Sequence, residues 1–272
     1  MVPNGTEGED SYLNARSLVL RCGGAVHVGV LLAVVAMAGY FRFVGLNWDE
    51  LHHLHPDERF LTMVETDIRP VEGGWTEYFD TANSTLNPHN KGYSFFVYGT
   101  APIFAVRYLA QLIADSGFQL TGWGIKSSLL LGTGYDQIHL VGRGVSALAD
   151  TISVFLLYFI GKRLYNRTVG LLASALSAMA VALIQQAHFF TVDSVANMFV
   201  VMGILFAVRA MYSYSVVNYA LFGCALGLAV ASRINLAPEI MRKEKFHGNI
   251  CDIVFRKTEA MYKCSIVPTH NY

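Results

Sequence analysis

The chain has 272 residues, 53% of them hydrophobic and only 15% charged, with 20 basic residues balanced by 20 acidic ones. An ordinary soluble domain carries roughly 25% charged residues, so this composition points away from a globular fold and toward an integral membrane protein. The net charge of zero says nothing about partners, and there is no basic patch to suggest nucleic acid. Cys22, Cys224, Cys251 and Cys264 show no CxxC spacing, which argues against a disulfide framework or a zinc site.

In chain order, residues 1–21 form a polar N-terminal segment with Arg16 and Arg21 just before the first apolar run. That run, 23–43, is about the roughly 20 residues a bilayer requires. It lacks a small-residue cleavage site and reads as a signal-anchor helix with its N-terminus in the cytoplasm. An outer loop, 45–137, follows. Its first half is rich in Asp, Glu and His and poor in Lys, a bias that suits the non-cytoplasmic side. Within it, 93–113 is apolar but broken by Gly99, Pro102 and Arg107. The expected spans after the loop are 138–160, 169–186, 194–211 and 219–231. The short loop between the first two carries Lys162, Arg163 and Arg167, which argues for the cytoplasm. Since 23–43 ends outside and 138–160 must run inward, 93–113 is expected to lie on the membrane surface or to be re-entrant, with an ordinary span as the alternative. The expected architecture is therefore an all-α, polytopic helix bundle of about five spans, occupying 22–238, with surface helices on its first outer loop. Residues 239–272 form a polar tail without a run long enough to span.

Candidate chemistry concentrates at 47–60, where Asp49, Glu50, Asp57 and Glu58 stand beside His52, His53 and His55 as the chain leaves the first apolar run. Charge at the rim of a low-dielectric slab is readily tuned. Pro56 followed by two acids is a helix-start signal. On the plainer reading Asp57 and Glu58 only complement the helix dipole. On the functional one a carboxylate is aimed at a substrate hydroxyl as a general base. Mixed imidazole and carboxylate also admit a divalent metal, with His55 and Glu58 as ligands, although no fixed ligand spacing supports it. His188 and Asp193 flank the turn expected on the same side, where Asp193 serves equally as a helix cap. Arg143 and Asp150 lie seven residues apart on one helix face, as a structural ion pair or, for Arg143, as a fork for phosphate. Lys91 opens the proposed surface helix, either meeting an anionic head group or snorkelling.

The ordered series Asn47-Trp48-Asp49, His55-Pro56-Asp57-Glu58-Arg59-Phe60-Leu61, Tyr98-Gly99, Gly142-Arg143 and Gln185 to Asp193 resembles the GT-C glycosyltransferases. The likeness is to the family-39 type, the lipid-phosphate-sugar-dependent mannosyl- and aminoarabinosyltransferases, in a prokaryotic branch. It covers roughly 19–238. The resemblance implies a polyprenyl-phosphate sugar donor, a protein, lipid or glycan acceptor at the outer face of a prokaryotic plasma membrane, and inverting transfer with a first-loop Asp as base. Asp57 is the choice for that base and Asp49 its rival. Glu58 orients it or holds a metal, and Arg143, Lys91 or His188 offsets the leaving phosphate. Members of that family continue into further spans past the point matching 232–238, so this chain reads as C-terminally truncated. The competing classes are a transporter or channel subunit, for which charges near the spans would mark a pathway, and a non-catalytic fragment. Transporters often carry repeated halves, and the sequence shows no repeat.

Overall fold

The computed structural model describes residues 6–117, 131–213 and 215–236, with side chains from residue 25 onward. The chain divides into two compact units, Met1–Arg233 and Ile234–Tyr272. Of the second only 234–236 are described, so the polar tail at 239–272 lies outside the described residues, as do the side chains of the N-terminal segment 1–21.

Among the described residues every regular element is a helix: α1 (Thr6–Phe43), α2 (Pro56–Asp67), α3 (Trp75–Phe79), a 3-10 turn (Pro88–Lys91), α4 (Thr100–Ser116), α5 (Tyr135–Leu164), α6 (Arg167–Ala178), α7 (Val181–Ala187), α8 (Val192–Tyr212) and α9 (Val216–Ser232). Three stretches are long and apolar enough to cross a membrane, Ala25–Phe43 of α1, all of α5 and all of α8. They expose large apolar side chains such as Val26, Leu32, Leu148 and Phe155, as a surface facing lipid does. α9 is apolar but has 17 residues, roughly 25 Å of helix and near the lower limit for a span.

The single span expected at 169–186 is instead two helices, α6 and α7, bent by 59° at a break. The break frees carbonyls at the end of α6, and a buried arginine from another helix takes them up. Arg42 of α1 donates to Ala178 O and to Ser177 O, both at 3.1 Å. Its Nε meets Asp150 Oδ2 at 2.5 Å. Asp150 is thus paired with Arg42, and the seven-residue spacing from Arg143 does not mark an ion pair. A kink needs an identifiable cause, and here it coincides with a guanidinium that satisfies the interrupted ladder.

The second difference concerns the surface helix. Lys91 belongs to the separate 3-10 turn, capped by Asn87, whose side chain accepts from His89 N. The chain then runs without regular structure to Gly99, and α4 begins at Thr100. α4 is not among the helices long and apolar enough to cross. Its apolar face lies on α2 instead: Ile103, Val106 and Ala110 pack with Leu61, Val64 and Ile68 in one core, all fully buried. Each such burial from water contributes about 1.5–3 kcal/mol for the larger side chains, which holds the outer loop as a body on the end of the bundle.

Candidate active site

One end of the bundle gathers the C-terminus of α1, the N-termini of α2, α5 and α8, and the C-termini of α7 and α9. α2 begins as its sequence dictates: Pro56 takes the first helical position, and the His55 imidazole caps it by accepting from Glu58 N at 3.5 Å. Its first turn carries Asp57 and Glu58, whose side chains diverge.

Glu58 turns inward and is fully buried with Asp49 around Arg143. The Arg143 guanidinium donates from Nε to Glu58 Oε1 (2.6 Å) and from Nη2 to Glu58 Oε2 (2.7 Å) and Asp49 Oδ2 (2.8 Å). From Nη1 it donates to Asp49 Oδ1 (2.9 Å) and Leu46 O (2.7 Å). A guanidinium has five N–H groups, and all five are engaged inside the protein. The expectation of Arg143 as an open fork for phosphate therefore meets a side chain with no donor to spare. Glu58 Oε1 also accepts from Phe190 N at 2.9 Å, tying the turn after α7 to α2. Burial opposes ionisation of Asp49, but the bonds to Arg143, its charge and the Leu54 N–H outweigh it and hold the carboxyl down at about 2.

This lock requires a close approach. A Cβ on Gly142 would sit 2.2 Å from the Phe190 ring, so only glycine lets the ring settle against α5 beside Arg143. The loop leading to α2 also departs from relaxed backbone: Glu50, Leu51 and His53 all have positive φ. Non-glycine residues in that region cost roughly 1–2 kcal/mol each, and the buried carboxylate pair around Arg143 offsets it.

Asp57 points the other way and is half-buried. The Tyr98 hydroxyl donates to it. Burial first, then that bond and the charges of Asp57 and Asp193, against the opposing charge of Arg233, raise the Tyr98 phenol to about 12. Asp193, in the first turn of α8, pairs with Arg233 just past the end of α9. Gly99 makes the neighbourhood possible, since a Cβ there would lie 2.1 Å from Ala231 O. Asp57, Tyr98, Asp193 and Arg233 thus form one cluster open to solvent beside the buried Asp49–Arg143–Glu58 lock.

His188 binds the two loops together. Its Nδ1 faces Ile184 O at 2.8 Å and its Nε2 faces Val44 O at 2.9 Å, so both ring nitrogens meet backbone carbonyls. Trp48 stacks edge-on against Phe189 at 5.7 Å, and the Arg143 guanidinium lies over the Trp48 ring. Lys91 is exposed on its own turn, which joins the α2 surface through His89, Phe96, Phe60 and Tyr98 in ring contact. Among the described residues no group of three or more His, Cys, Asp or Glu side chains is arranged to hold a metal. His55 and Glu58, the pair weighed for one, are occupied by the helix cap and by the bonds from Arg143 and Phe190.

The structure therefore brings Asp49, Asp57, Glu58, Arg143, His188 and Asp193 to one end of the bundle and leaves Lys91 on the flank. Sequence reasoning had no role for Tyr98 or Arg233 in this cluster. The Tyr98-Gly99 pair was the available signal, a polar ring followed by the one residue that permits contact with α9.

Fold and site together define a multi-pass, all-α membrane protein. The family model described as dolichyl-phosphate-mannose-protein mannosyltransferase matches residues 120–241, a stretch that includes Arg143, His188, Asp193 and Arg233. The match supports a membrane glycosyltransferase of the GT-C superfamily, a class that takes its sugar from a lipid-linked donor. No curated protein and no solved structure matches the chain.

Proposed function

We propose that the protein transfers a sugar from a polyprenyl-phosphate carrier to an acceptor hydroxyl on the non-cytoplasmic face, with inversion, and that Asp57 is the base. The observation that carries this reading is the division among the acids of the first loop. Asp49 and Glu58 are buried and saturated by Arg143, whereas Asp57, at the start of α2, is half-buried beside Tyr98, Asp193 and Arg233. Both Asp49 oxygens are taken up by the Arg143 guanidinium, which leaves Asp49 poorly placed to receive an acceptor's proton.

In the proposed step the acceptor oxygen bonds to the anomeric carbon as its proton passes to the Asp57 carboxylate. The bond from that carbon to the phosphate oxygen breaks, and the electron pair leaves with polyprenyl phosphate. Arg233, exposed within the cluster, and the exposed Lys91 on its flank offset the developing phosphate charge. Arg143 acts one layer back by fixing Glu58, hence the first turn of α2 and the direction of Asp57. His188 and Asp193 position the α7–α8 turn and Arg233. The acceptor is a protein, a lipid or a glycan.

The sidedness follows from charge. The opposite end of the bundle presents Lys162, Arg163 and Arg209 around a cavity of about 440 Å³ whose lining includes no carboxylate, which suits the cytoplasmic side. The N-terminus is then cytoplasmic too, and the sequence resemblance points to a prokaryotic plasma membrane. Arg42 pairs with Asp150 and Arg143 with Asp49 and Glu58, which favours structural ion pairs over a transport pathway at these charges.

Asp57→Asn tests the assignment in liposomes with a labelled polyprenyl-phosphate mannose and an acceptor mixture. Loss of the base is expected to lower transfer by about 10²-fold or more while leaving thermal unfolding unchanged. Wild-type transfer by the Asn variant would remove Asp57 from the mechanism.

A further inference from the structure

A second polar site lies at the far end of α2, outside the cluster around Asp57. There a cavity of about 520 Å³ opens between α2, the segment after it and α4, lined among others by Thr66, Arg69, Glu72, Arg107, Gln111 and Thr133. Arg107 is 5% exposed, yet its Nε and Nη1 have no hydrogen-bond partner among the described residues. Buried guanidinium donors left unmatched are costly, and this one lines the cavity.

Glu65 is the acid whose charge would favour the Arg107 guanidinium, and no hydrogen bond joins the two among the described residues. Glu65, fully buried, has neither carboxylate oxygen hydrogen-bonded. Burial drives its pKa well above the usual range, against the pull of Arg107, and so favours the uncharged acid. The exposed Arg69 lies close enough to Arg107 for the two like charges to oppose each other. Two guanidinia therefore face one cavity whose lining includes a single carboxylate, Glu72, and that residue is exposed. Thr133 adds a hydroxyl donor and Gln111 its second amide N–H, the first being given to Asp115, while the Thr66 hydroxyl is spent on Thr62 O.

We propose that this cavity binds a phosphate group, with Arg69 and Arg107 as its clamp. A phosphate offers several acceptor oxygens in the geometry a guanidinium fork matches, and its charge relieves the repulsion between the two arginines. The site is separate from sugar transfer: Thr66 stands nine residues beyond Asp57 on one helix, about 14 Å along its axis. The phosphate is either free in solution or borne on a lipid head group, and the chemistry that recognises it is the same.

The test uses the full chain in phosphatidylcholine nanodiscs. Inorganic phosphate is titrated against chloride at constant ionic strength, and the reaction of Arg69 and Arg107 with phenylglyoxal is read by mass spectrometry. Saturable protection by phosphate but not chloride is expected. Arg69→Gln, an exposed change that leaves the core intact, is expected to weaken phosphate binding roughly tenfold or more. Arg107→Gln should do the same, and Asp57→Asn should bind as the wild type does. In a second arm phosphatidate is added to the nanodiscs and phosphate omitted. Protection there identifies a lipid-borne group, and protection only by inorganic phosphate identifies a free one. Absence of protection in both arms, or undiminished binding by Arg69→Gln, overturns the site.

Discussion

Replacing Arg143 with Lys tests the central structural claim, that one guanidinium holds two buried carboxylates and a carbonyl. Arg143 is 0% exposed and donates five hydrogen bonds, four of them to Asp49 and Glu58. An ammonium has three donors and no planar fork, so at least two of those bonds are lost. Hydrogen bonds to charged groups contribute about 1.5–3 kcal/mol each, so losing two costs about 3–6 kcal/mol, a large share of the 5–15 kcal/mol typical of a folded domain. Thermal unfolding in detergent measures it. Trp48, whose ring lies 5.7 Å from the Arg143 Cζ, provides a local fluorescence signal. A cycle combining Arg143→Met with Glu58→Gln should recover part of the loss, because the second change removes one of the stranded charges. An Arg143→Lys variant within about 0.5 kcal/mol of wild type, the range of an ordinary surface change, would show that the pairing does not hold this end together.

Gly142→Ala is expected to destabilise by about 1–3 kcal/mol or more, because the new methyl meets the Phe190 ring at 2.2 Å, and a crystal structure of the variant should show Phe190 displaced. Acid should weaken the fold through Asp49. Its folded value of about 2 lies below the ordinary 3.8, so its contribution, roughly 2 kcal/mol, is present above pH 3.8 and is lost as pH falls toward 2. Unfolding followed across that range should show a loss that Asp49→Asn abolishes. Glu65 behaves oppositely: its pKa is raised by burial, so its stability is full below the ordinary 4.5 and is lost as pH rises through the folded value. Glu65→Gln should therefore raise the unfolding temperature more at alkaline than at acidic pH, and an equal shift at both would contradict the burial argument.

The sequence alone determined the elements whose causes are local. Hydropathy and length marked the spans that became α1, α5 and α8, and Pro56 with its two following acids marked the start of α2. The same acids named the end of the bundle where the candidate chemistry gathers. Adjacent residues of like type, however, carry no local sign of their fates. Asp57 and Glu58 are neighbours with the same charge, yet Glu58 is sealed against Arg143, 85 positions away, while Asp57 meets Tyr98 in the open. The helix expected at 169–186 is broken, and Arg42, 135 positions before Ser177, donates to carbonyls at the break. Asp150 took that same arginine rather than Arg143, on its own helix face, as its partner. Hydropathy and capping act within a turn or two of chain. Burial and the satisfaction of charge depend on which helices meet, and only the packed bundle decides that.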